Sequence, residues 1–444
     1  MKISVIGCGY LGAVHATCMA SIGHHVVGLD SDRERAALLD RGVPTVYEPG
    51  LDALLADTLQ SGRLRFTDDP EALADATVHF LCVGTPQQAD SDSADLSSLY
   101  AASRTLLPLL KPGDLVVGKS TVPVGTAQSI ATMISEVEPA ATLIWNPEFL
   151  REGFAVDDTL HPDRLVYGVA SADDDHREWA VARLDQVYAT ALADRTPRLV
   201  TDLQTAELVK VAANSFLATK ISFINAMAEV CEATGADVTV LADAIGHDAR
   251  IGRKFLNSGL GFGGGCLPKD IRGFIARSEE LGIGEAVSFL RDVDRINSRR
   301  LDAMVALTRE AVGGSLAGRR ITALGAAFKP NSDDVRSAPA LQVAALLQAE
   351  GAHVVVTDPH AVDNARKARP DLHHFSDDLA EALDDSDAVV LLTEWPQYRE
   401  LDPVWAGRLV KQRTIIDGRN VLDPDAWRQA GWQIAALGRP ALIR

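Results

Sequence analysis

Met1-Lys2-Ile3-Ser4-Val5-Ile6-Gly7-Cys8-Gly9-Tyr10-Leu11-Gly12 is the stretch on which the fold turns. Ile3–Ile6 is an apolar run of strand length, and the glycines follow it at the spacing G-x-G-x-x-G as a helix opens. In that setting the first glycine makes a tight turn and the second lets the backbone close on a pyrophosphate. The third lets the helix pack on the strand. Val26–Leu29 reads as the next strand, and Asp30 stands at its end, near the ~20-residue offset of a carboxylate that grips an adenine ribose. Glycines alone would also suit an α/β sheet that binds nothing. Strand, glycines, helix, strand and acid in order predict an NAD site. Asp30 and Asp32 would repel a 2′-phosphate, which favours NAD over NADP, although Arg33 and Arg35 stand close by.

Outward from that stretch, short β-rich runs alternate with helical patterns. Val78–Val83, Leu115–Val117, Leu143–Trp145 and Leu165–Val169 read as strands, and Leu51–Leu59 and Leu96–Leu107 as helices. This alternation predicts βαβ units and a parallel sheet wrapped by helices. Further loops follow strands of the same sheet: Val83-Gly84-Thr85-Pro86, Ser120-Thr121-Val122-Pro123-Val124-Gly125-Thr126, and Trp145-Asn146-Pro147-Glu148-Phe149-Leu150-Arg151-Glu152-Gly153. Ligands of open parallel sheets lie at the carboxyl ends of the strands, so all three should face the cofactor. Hydroxyls at such places commonly cap helices, and charges commonly face solvent.

From Asp202 to Thr234 the pattern is one long helix, stopped by Gly235. Lys210 and Asn214 lie four apart on it, hence on one face, as polar insertions among apolar neighbours. A lysine there can also snorkel to water. A further helix spans roughly Glu285–Ala311, and Gly313-Gly314-Ser315 reads as a hinge. Beyond it Ile321–Leu324, His353–Thr357, Ala388–Leu392 and Thr414–Ile416 restart the α/β alternation without a glycine fingerprint. The expected architecture is two Rossmann-like doubly wound domains, 1–200 and 313–444, joined by a long central helix in a helical region at 201–312.

Composition narrows the functions. The chain has 444 residues, 47% of them hydrophobic, and a formal net charge of −18. Such acidity disfavours nucleic acid and acidic membrane surfaces, so an anionic ligand must find cations gathered locally. The start reads as a strand rather than a secretion signal, and no apolar run is long enough to span a bilayer. Five cysteines are scattered without metal spacing, which fits a reducing cytoplasm and no bound metal.

One of those cysteines sits in Gly261-Phe262-Gly263-Gly264-Gly265-Cys266-Leu267-Pro268-Lys269-Asp270. The glycines permit close approach and positive φ, and Pro268 suits the first turn of a helix. Cys266 would then stand before a helix N-terminus and beside Lys269, where a thiolate is favoured. Asp270 opposes that shift but is spaced to handle a proton. A glycine turn with an inert buried thiol fits these residues as well. A nicotinamide cofactor and a cysteine together suit oxidation of a primary alcohol all the way to a carboxylate.

The runs GCGYLG, VGTP, STVPVGT, NPEFLREG, KVAANSF, GFGGGCLPKD, AFKPNSDDVR and DGRN, taken in order, resemble the UDP-glucose/GDP-mannose dehydrogenase family of nucleotide-sugar dehydrogenases. The resemblance covers essentially the whole chain. It implies an NAD domain, a central helix that mediates dimerisation, and a C-terminal domain for the nucleotide diphosphate. It also implies two successive oxidations at C6 of the sugar with two NAD. Pro162-Asp163-Arg164 resembles the UDP-glucose branch more than the GDP-mannose or UDP-N-acetylmannosamine branches. The loop Gln87–Ala94 departs from the family by lacking a glycine before Asp95-Leu96.

Carried over by position, the resemblance implies Cys266 as nucleophile and Asp270 as its proton partner. Lys210, helped by Asn214, would stabilise the alkoxide, while Thr121 and Glu148 position water or act as base. Glu148, Phe149, Leu150, Arg151, Glu152, Lys210 and Asn214 would touch substrate, as would Phe255, Leu256, Asn257, Ser258, Gly259 and Gly263. Lys329 and Arg419 would supply cations, and Arg250 would reach the neighbouring subunit's site. For NAD the positions are Gly7, Gly9, Tyr10, Leu11, Gly12, Asp30, Arg35, Thr85, Thr121, Glu152, Lys269 and Arg336. Other readings of the same residues are this chemistry on another nucleotide sugar, a sensor that binds without turnover, and a one-step β-hydroxyacid dehydrogenase.

Overall fold

The computed structural model describes residues 1–170 and 174–440. Contacts divide the chain into two compact units, Met1–Ala213 with Arg272–Gly284, and Asn214–Ile271 with Glu285–Arg444.

The first unit holds a sheet of eight strands: β1 (Lys2–Ile6), β2 (His25–Leu29), β3 (Leu64–Thr67), β4 (Val78–Leu81), β5 (Leu115–Gly118), β6 (Thr142–Trp145), β7 (Leu165–Val169) and β8 (Arg198–Asp202). Their order is β3-β2-β1-β4-β5-β6-β7-β8. The first six thus follow the 3-2-1-4-5-6 arrangement of dinucleotide-binding sheets, with the chain reversing direction across the sheet between β1 and β4. Alternate residues of β1 feed opposite faces, as strand pleating requires. Ile3 and Val5 join a core with Val14 and Met19, whereas Ile6 packs with Leu81, Leu99 and Ile130. Helix α1 (Tyr10–Ser21) buries Gly12 through Ala20, and its small residues Ala13, Ala16 and Ala20 let it lie in that interior.

The second unit holds β9 (Arg320–Leu324), β10 (His353–Thr357), β11 (His374–Phe375), β12 (Ala388–Leu391), β13 (Thr414–Asp417) and β14 (Gln433–Ala436). Their order, β11-β10-β9-β12-β13-β14, repeats the same arrangement with all pairs parallel.

Four more helices position candidate residues: α2 (Thr126–Val137), α3 (Leu203–Thr234), α4 (Leu267–Glu280) and α5 (Phe289–Ala311). Helix α3 ends where the sequence predicts, with Gly235 at φ 77°. The region expected as helix from Glu285 starts as a 3-10 turn, Gly284–Val287, before α5.

The expectation of a parallel sheet is corrected at one pairing. β6 and β7 run antiparallel, with Ile144 opposite Val169 and Trp145 opposite Gly168. The connection between them carries only the short helix Ala155–Leu160. The chain therefore folds back at the same end of the sheet instead of crossing over. An apolar run reads alike in either direction, so hydrophobicity could not reveal this.

Candidate active site

In the first unit the Gly7–Gly12 loop is built by close backbone packing. Gly7 has φ 88°, and a Cβ there would meet the Val83 side chain at 2.6 Å. A Cβ on Gly12 would stand 1.8 Å from the Gly7 carbonyl oxygen, so only glycine lets α1 start so close to β1. Gly9 differs. It is the N-cap of α1, and a Cβ on it would meet nothing within 4 Å. No side chain among the described residues caps α1, and no acid lies in its first turn. The uncapped N–H groups and the positive end of the helix dipole thus face open space beside Gly9.

Asp30 is buried at the end of β2 and accepts hydrogen bonds from the backbone N–H of Cys8 and of Asp32, both at 2.8 Å. Arg35 pairs with it at 3.2 Å. The carboxylate therefore ties the glycine loop to the second strand. Leu11 is half-buried, and the Tyr10 hydroxyl donates to Glu48 while accepting from the Gly153 N–H at 3.0 Å. Burial, then the Glu48 carboxylate, pushes the Tyr10 phenol up. Glu152 is buried next to this junction in the chain.

The hydroxyls after β4 and β5 are not helix caps. The Thr85 hydroxyl donates to the Thr121 carbonyl at 2.7 Å, and the Ser120 hydroxyl to the Val83 carbonyl at 2.6 Å. They stitch the two loops together. The N-terminus of α2, though also led by a glycine, is closed. Buried Glu207 on α3 accepts from the N–H groups of Gly125 at 2.8 Å and Ala127 at 2.6 Å. Burial pushes its carboxyl up to about 7, against the pull of those N–H groups and of Arg277.

After β6, Glu148 and Lys210 form an ion pair at 2.9 Å, both largely buried. The other Glu148 oxygen accepts from the Leu150 N–H at 2.7 Å, which fixes the carboxylate against its own turn. Two cations approach the Phe149 ring, with Arg164 at 3.8 Å and the Lys210 ammonium at 5.6 Å from its centroid. Arg151 is bonded through Nε and Nη2 to Asp158.

The remaining candidates belong to the second unit. Cys266 is exposed, whereas Cys8, Cys18, Cys82 and Cys231 are buried. Burial pushes the Cys18 and Cys82 thiols up to about 12. It raises Cys8 and Cys231 as well. Cys266 directly precedes α4, and its carbonyl accepts from the Asp270 N–H at 3.0 Å. The buried Asp270 carboxylate is held from both sides, by Asn214 Nδ2 at 2.7 Å and Lys269 Nζ at 2.6 Å.

Long-range contacts shape the cysteine loop. Asn297 on α5 binds both the N–H and the carbonyl of Phe262, at 2.8 and 3.0 Å. Cβ atoms would collide with Ser337 at Gly263, with the Phe328 ring at Gly264 (φ 82°) and with the Arg336 guanidinium at Gly265. Arg336 is bonded to Asp334 through Nε and Nη2. The Lys329 ammonium lies 5.2 Å from the Phe328 ring centroid. Arg419, just past β13, donates to the carbonyls of Leu392, Gly261 and Phe328.

The preceding turn is held as firmly. Phe255 adopts φ 65°, Leu256 is buried, and Asn257 accepts from Arg253. Ser258 accepts from Asn420, and the Gly259 N–H donates to Asn225 at 2.9 Å. Arg250 is exposed and paired with Asp248.

Successive stretches of the chain match the NAD-binding domain (residues 1–192), the central domain (204–299) and the UDP-binding domain (322–424) of the UDP-glucose/GDP-mannose dehydrogenase family. It is 42% identical to the UDP-glucose 6-dehydrogenase of Rhizobium meliloti over 99% of this chain and 100% of that one. The chain belongs to the UDP-glucose/GDP-mannose dehydrogenase family. Among solved structures, a UDP-glucose dehydrogenase from Pyrobaculum islandicum matches with TM-score 0.88 and 40% identity, covering 99% of this chain and 98% of that chain. A UDP-D-ManNAc dehydrogenase from Pyrococcus horikoshii matches with TM-score 0.85 at 27% identity over 100% of both chains.

This family member is an NAD-dependent nucleotide-sugar dehydrogenase. The first unit fits the cofactor. The open N-terminus of α1 at Gly9 suits a pyrophosphate, and Asp30 stands at the end of the second strand, where a ribose is gripped. Reading the dehydrogenase from sequence passed over Lys119, Asn146, Glu48, Glu207 and Asn297. Asn146 lies inside a quoted motif, but its side chain points into the protein and bonds the Val166 carbonyl at 3.0 Å. Glu207 sits in an apolar helical run, where one acid looks like surface charge.

Proposed function

We propose that the enzyme oxidises UDP-glucose at C6 to UDP-glucuronate through a covalent bond to Cys266. The observation that carries this is a single exposed thiol at the head of α4, with four other cysteines buried. Relatives 42% and 41% identical over nearly the whole chain are named UDP-glucose 6-dehydrogenase.

Bound at the Gly7–Gly12 loop and Asp30, NAD supplies the oxidant, and one alcohol plus one water becomes a carboxylate, two NADH and three protons. Arg35, Thr85, Thr121, Glu152, Lys269 and Arg336 complete the proposed cofactor contacts. Lys210 stabilises the alkoxide as the alcohol loses its proton, and Glu148 or a water held by Thr121 takes that proton. The Cys266 thiol gives its proton to Asp270 as its sulfur forms a C–S bond to the aldehyde carbon, and the carbonyl oxygen takes back the proton that the alcohol gave up. After the second oxidation, water adds to the thioester carbon, the C–S bond breaks, and Asp270 returns a proton to the sulfur. Asn214 orients Asp270 for both exchanges. The uridine diphosphate sugar is held by residues 255–259, Gly263, Lys329 and Arg419.

The expected division into 1–200, 201–312 and 313–444 is part of this proposal, supported by the three matched family domains. So is a homodimer built on α3. Phe216, Phe223 and Val230 repeat every seven residues and are 66%, 49% and 51% exposed, which leaves one apolar stripe facing outward. Arg250 reaches the partner's site in that dimer. A cytoplasmic setting suits five cysteines that form no disulfide. No helix among the described residues is long and apolar enough to cross a membrane.

The decisive measurement is NADH formed per UDP-glucose consumed, expected at two. Cys266→Ser should abolish uronate formation while NAD affinity stays within about twofold. Full conversion by that variant would remove the covalent step. Turnover of GDP-mannose or UDP-N-acetylmannosamine with none of UDP-glucose would reassign the substrate.

A further inference from the structure

Lys119 follows β5 directly and is only 7% exposed. Its ammonium donates to Asn146 Oδ1 at 3.1 Å, to the Asn146 carbonyl at 3.5 Å and to the Tyr188 hydroxyl at 3.1 Å. The Tyr188 hydroxyl in turn donates to Asn146 Oδ1 at 2.8 Å, and Asn146 Nδ2 donates to the Val166 carbonyl at 3.0 Å. Among the described residues no carboxylate forms an ion pair with Lys119. Buried charges are ordinarily paired. Burial pulls the Lys119 ammonium down to about 8, with Cys82 and Glu148 raising it and Lys210 lowering it. An apolar side chain of similar length would fill this space without that desolvation cost, so packing alone does not account for a lysine.

Its position does. Gly118 pairs with Trp145 in the β5–β6 register, so Lys119 and Asn146 are the facing residues just past the two strand ends. Lys119 precedes Ser120-Thr121, and Asn146 precedes Pro147-Glu148. Proline fixes φ, which makes the step from Asn146 to Glu148 short and stiff. A shift at Asn146 therefore passes to the carboxylate that meets Lys210 at 2.9 Å.

We infer that Lys119 is a positioning residue: through Asn146 and Tyr188 it holds the turn that presents Glu148 to Lys210. This rests on the role proposed above for Glu148.

The test is a double-mutant cycle on the full-length enzyme with UDP-glucose and NAD. Lys119→Met should lower kcat about 10–100-fold, as expected for a ~1 Å misplacement, with both KM values within about twofold. Combined with Glu148→Gln it should lower kcat no more than about twofold beyond Glu148→Gln alone, because both act on one group. A Lys119→Met kcat within about twofold of the parent, or losses that multiply in the double variant, would overturn the inference while leaving the role of Glu148 intact. Undiminished turnover by Glu148→Gln would overturn both. Should Lys119→Met fail to fold, Tyr188→Phe, which removes the other donor to Asn146 Oδ1, enters the same cycle with the same criteria.

Discussion

At Gly12 a Cβ would run into the Gly7 carbonyl, five residues back on the same loop, whereas at Gly264 it would run into the ring of Phe328, some sixty residues on in the chain, just after β9. Both loops are glycine-rich, both end at a helix N-terminus, and both carry a cysteine. In the first the sulfur of Cys8 is buried and the space above Gly9 is open. In the second the glycines are roofed by Asn297, Phe328, Arg336 and Ser337, and the sulfur of Cys266 is exposed. One loop keeps its backbone clear so that a ligand can approach it. The other uses its glycines to press backbone against protein and leave a side chain outermost.

The largest test of this contrast is Gly12→Ala. No rotamer relieves a Cβ placed 1.8 Å from a backbone oxygen, so α1 must move off β1. We expect a stability loss of about 3 kcal/mol or more by chemical denaturation and NAD affinity reduced at least ~100-fold. Near-native stability and NAD affinity would mean that the glycine is not what sets the helix against the strand.

Gly264→Ala should cost about 2–3 kcal/mol, part from φ 82° and part from the ring of Phe328, whose nearest atom lies 2.7 Å from the added carbon. Its signature differs from the first variant. NAD affinity, read by fluorescence titration, should stay within about twofold, while oxidation of UDP-glucose falls. A variant equally damaged in both would show that the two loops do not divide the work as proposed.

These loops also show what was legible before the structure. The ten strands read from the sequence are the interior strands of the two sheets, and the four missed, β3, β8, β11 and β14, are the edges. Interior parallel strands are buried on both faces and read as continuous apolar runs. Edges are shorter or more polar: β11 has two residues, and β8 is exposed or half-buried throughout. Residues at the candidate site followed a similar line. The glycine loop and Asp30 were legible because their geometry is local. Asn297, Lys119 and Asn146 were not, because each acts on a segment that only the tertiary fold brings beside it.

A third glycine-led helix, α2, sharpens the contrast from the opposite direction, since Glu207 closes the terminus that α1 leaves open. Its folded pKa near 7 lies above the 4.5 of an unperturbed glutamate. Between those values the folded chain binds the extra proton. The stabilisation is therefore complete below about pH 4.5 and lost as pH rises through 7, amounting to up to about 3 kcal/mol. Glu207→Gln should flatten the pH dependence of unfolding over that window in paired melts. An unchanged slope would place the proton elsewhere.

The smallest effect on the fold is expected at Gly9, and it is the most discriminating. Gly9 has φ −67°, which alanine adopts freely, and an added Cβ meets no protein atom within 4 Å. Gly9→Ala should therefore change stability by less than about 1 kcal/mol, because the lost freedom of the unfolded chain offsets alanine's poorer fit to a helix N-cap. Yet the same methyl group projects into the space where the uncapped N–H groups of α1 would meet the proposed pyrophosphate. We expect NAD affinity to fall about tenfold or more, with no matching change in the unliganded enzyme's melting curve. Affinity would then be lost without stability at one atom, the reverse of Gly264→Ala and unlike Gly12→Ala, which loses both. If instead Gly9→Ala binds NAD like the parent, the open side of the loop is not where the pyrophosphate lies, and the first half of the contrast fails.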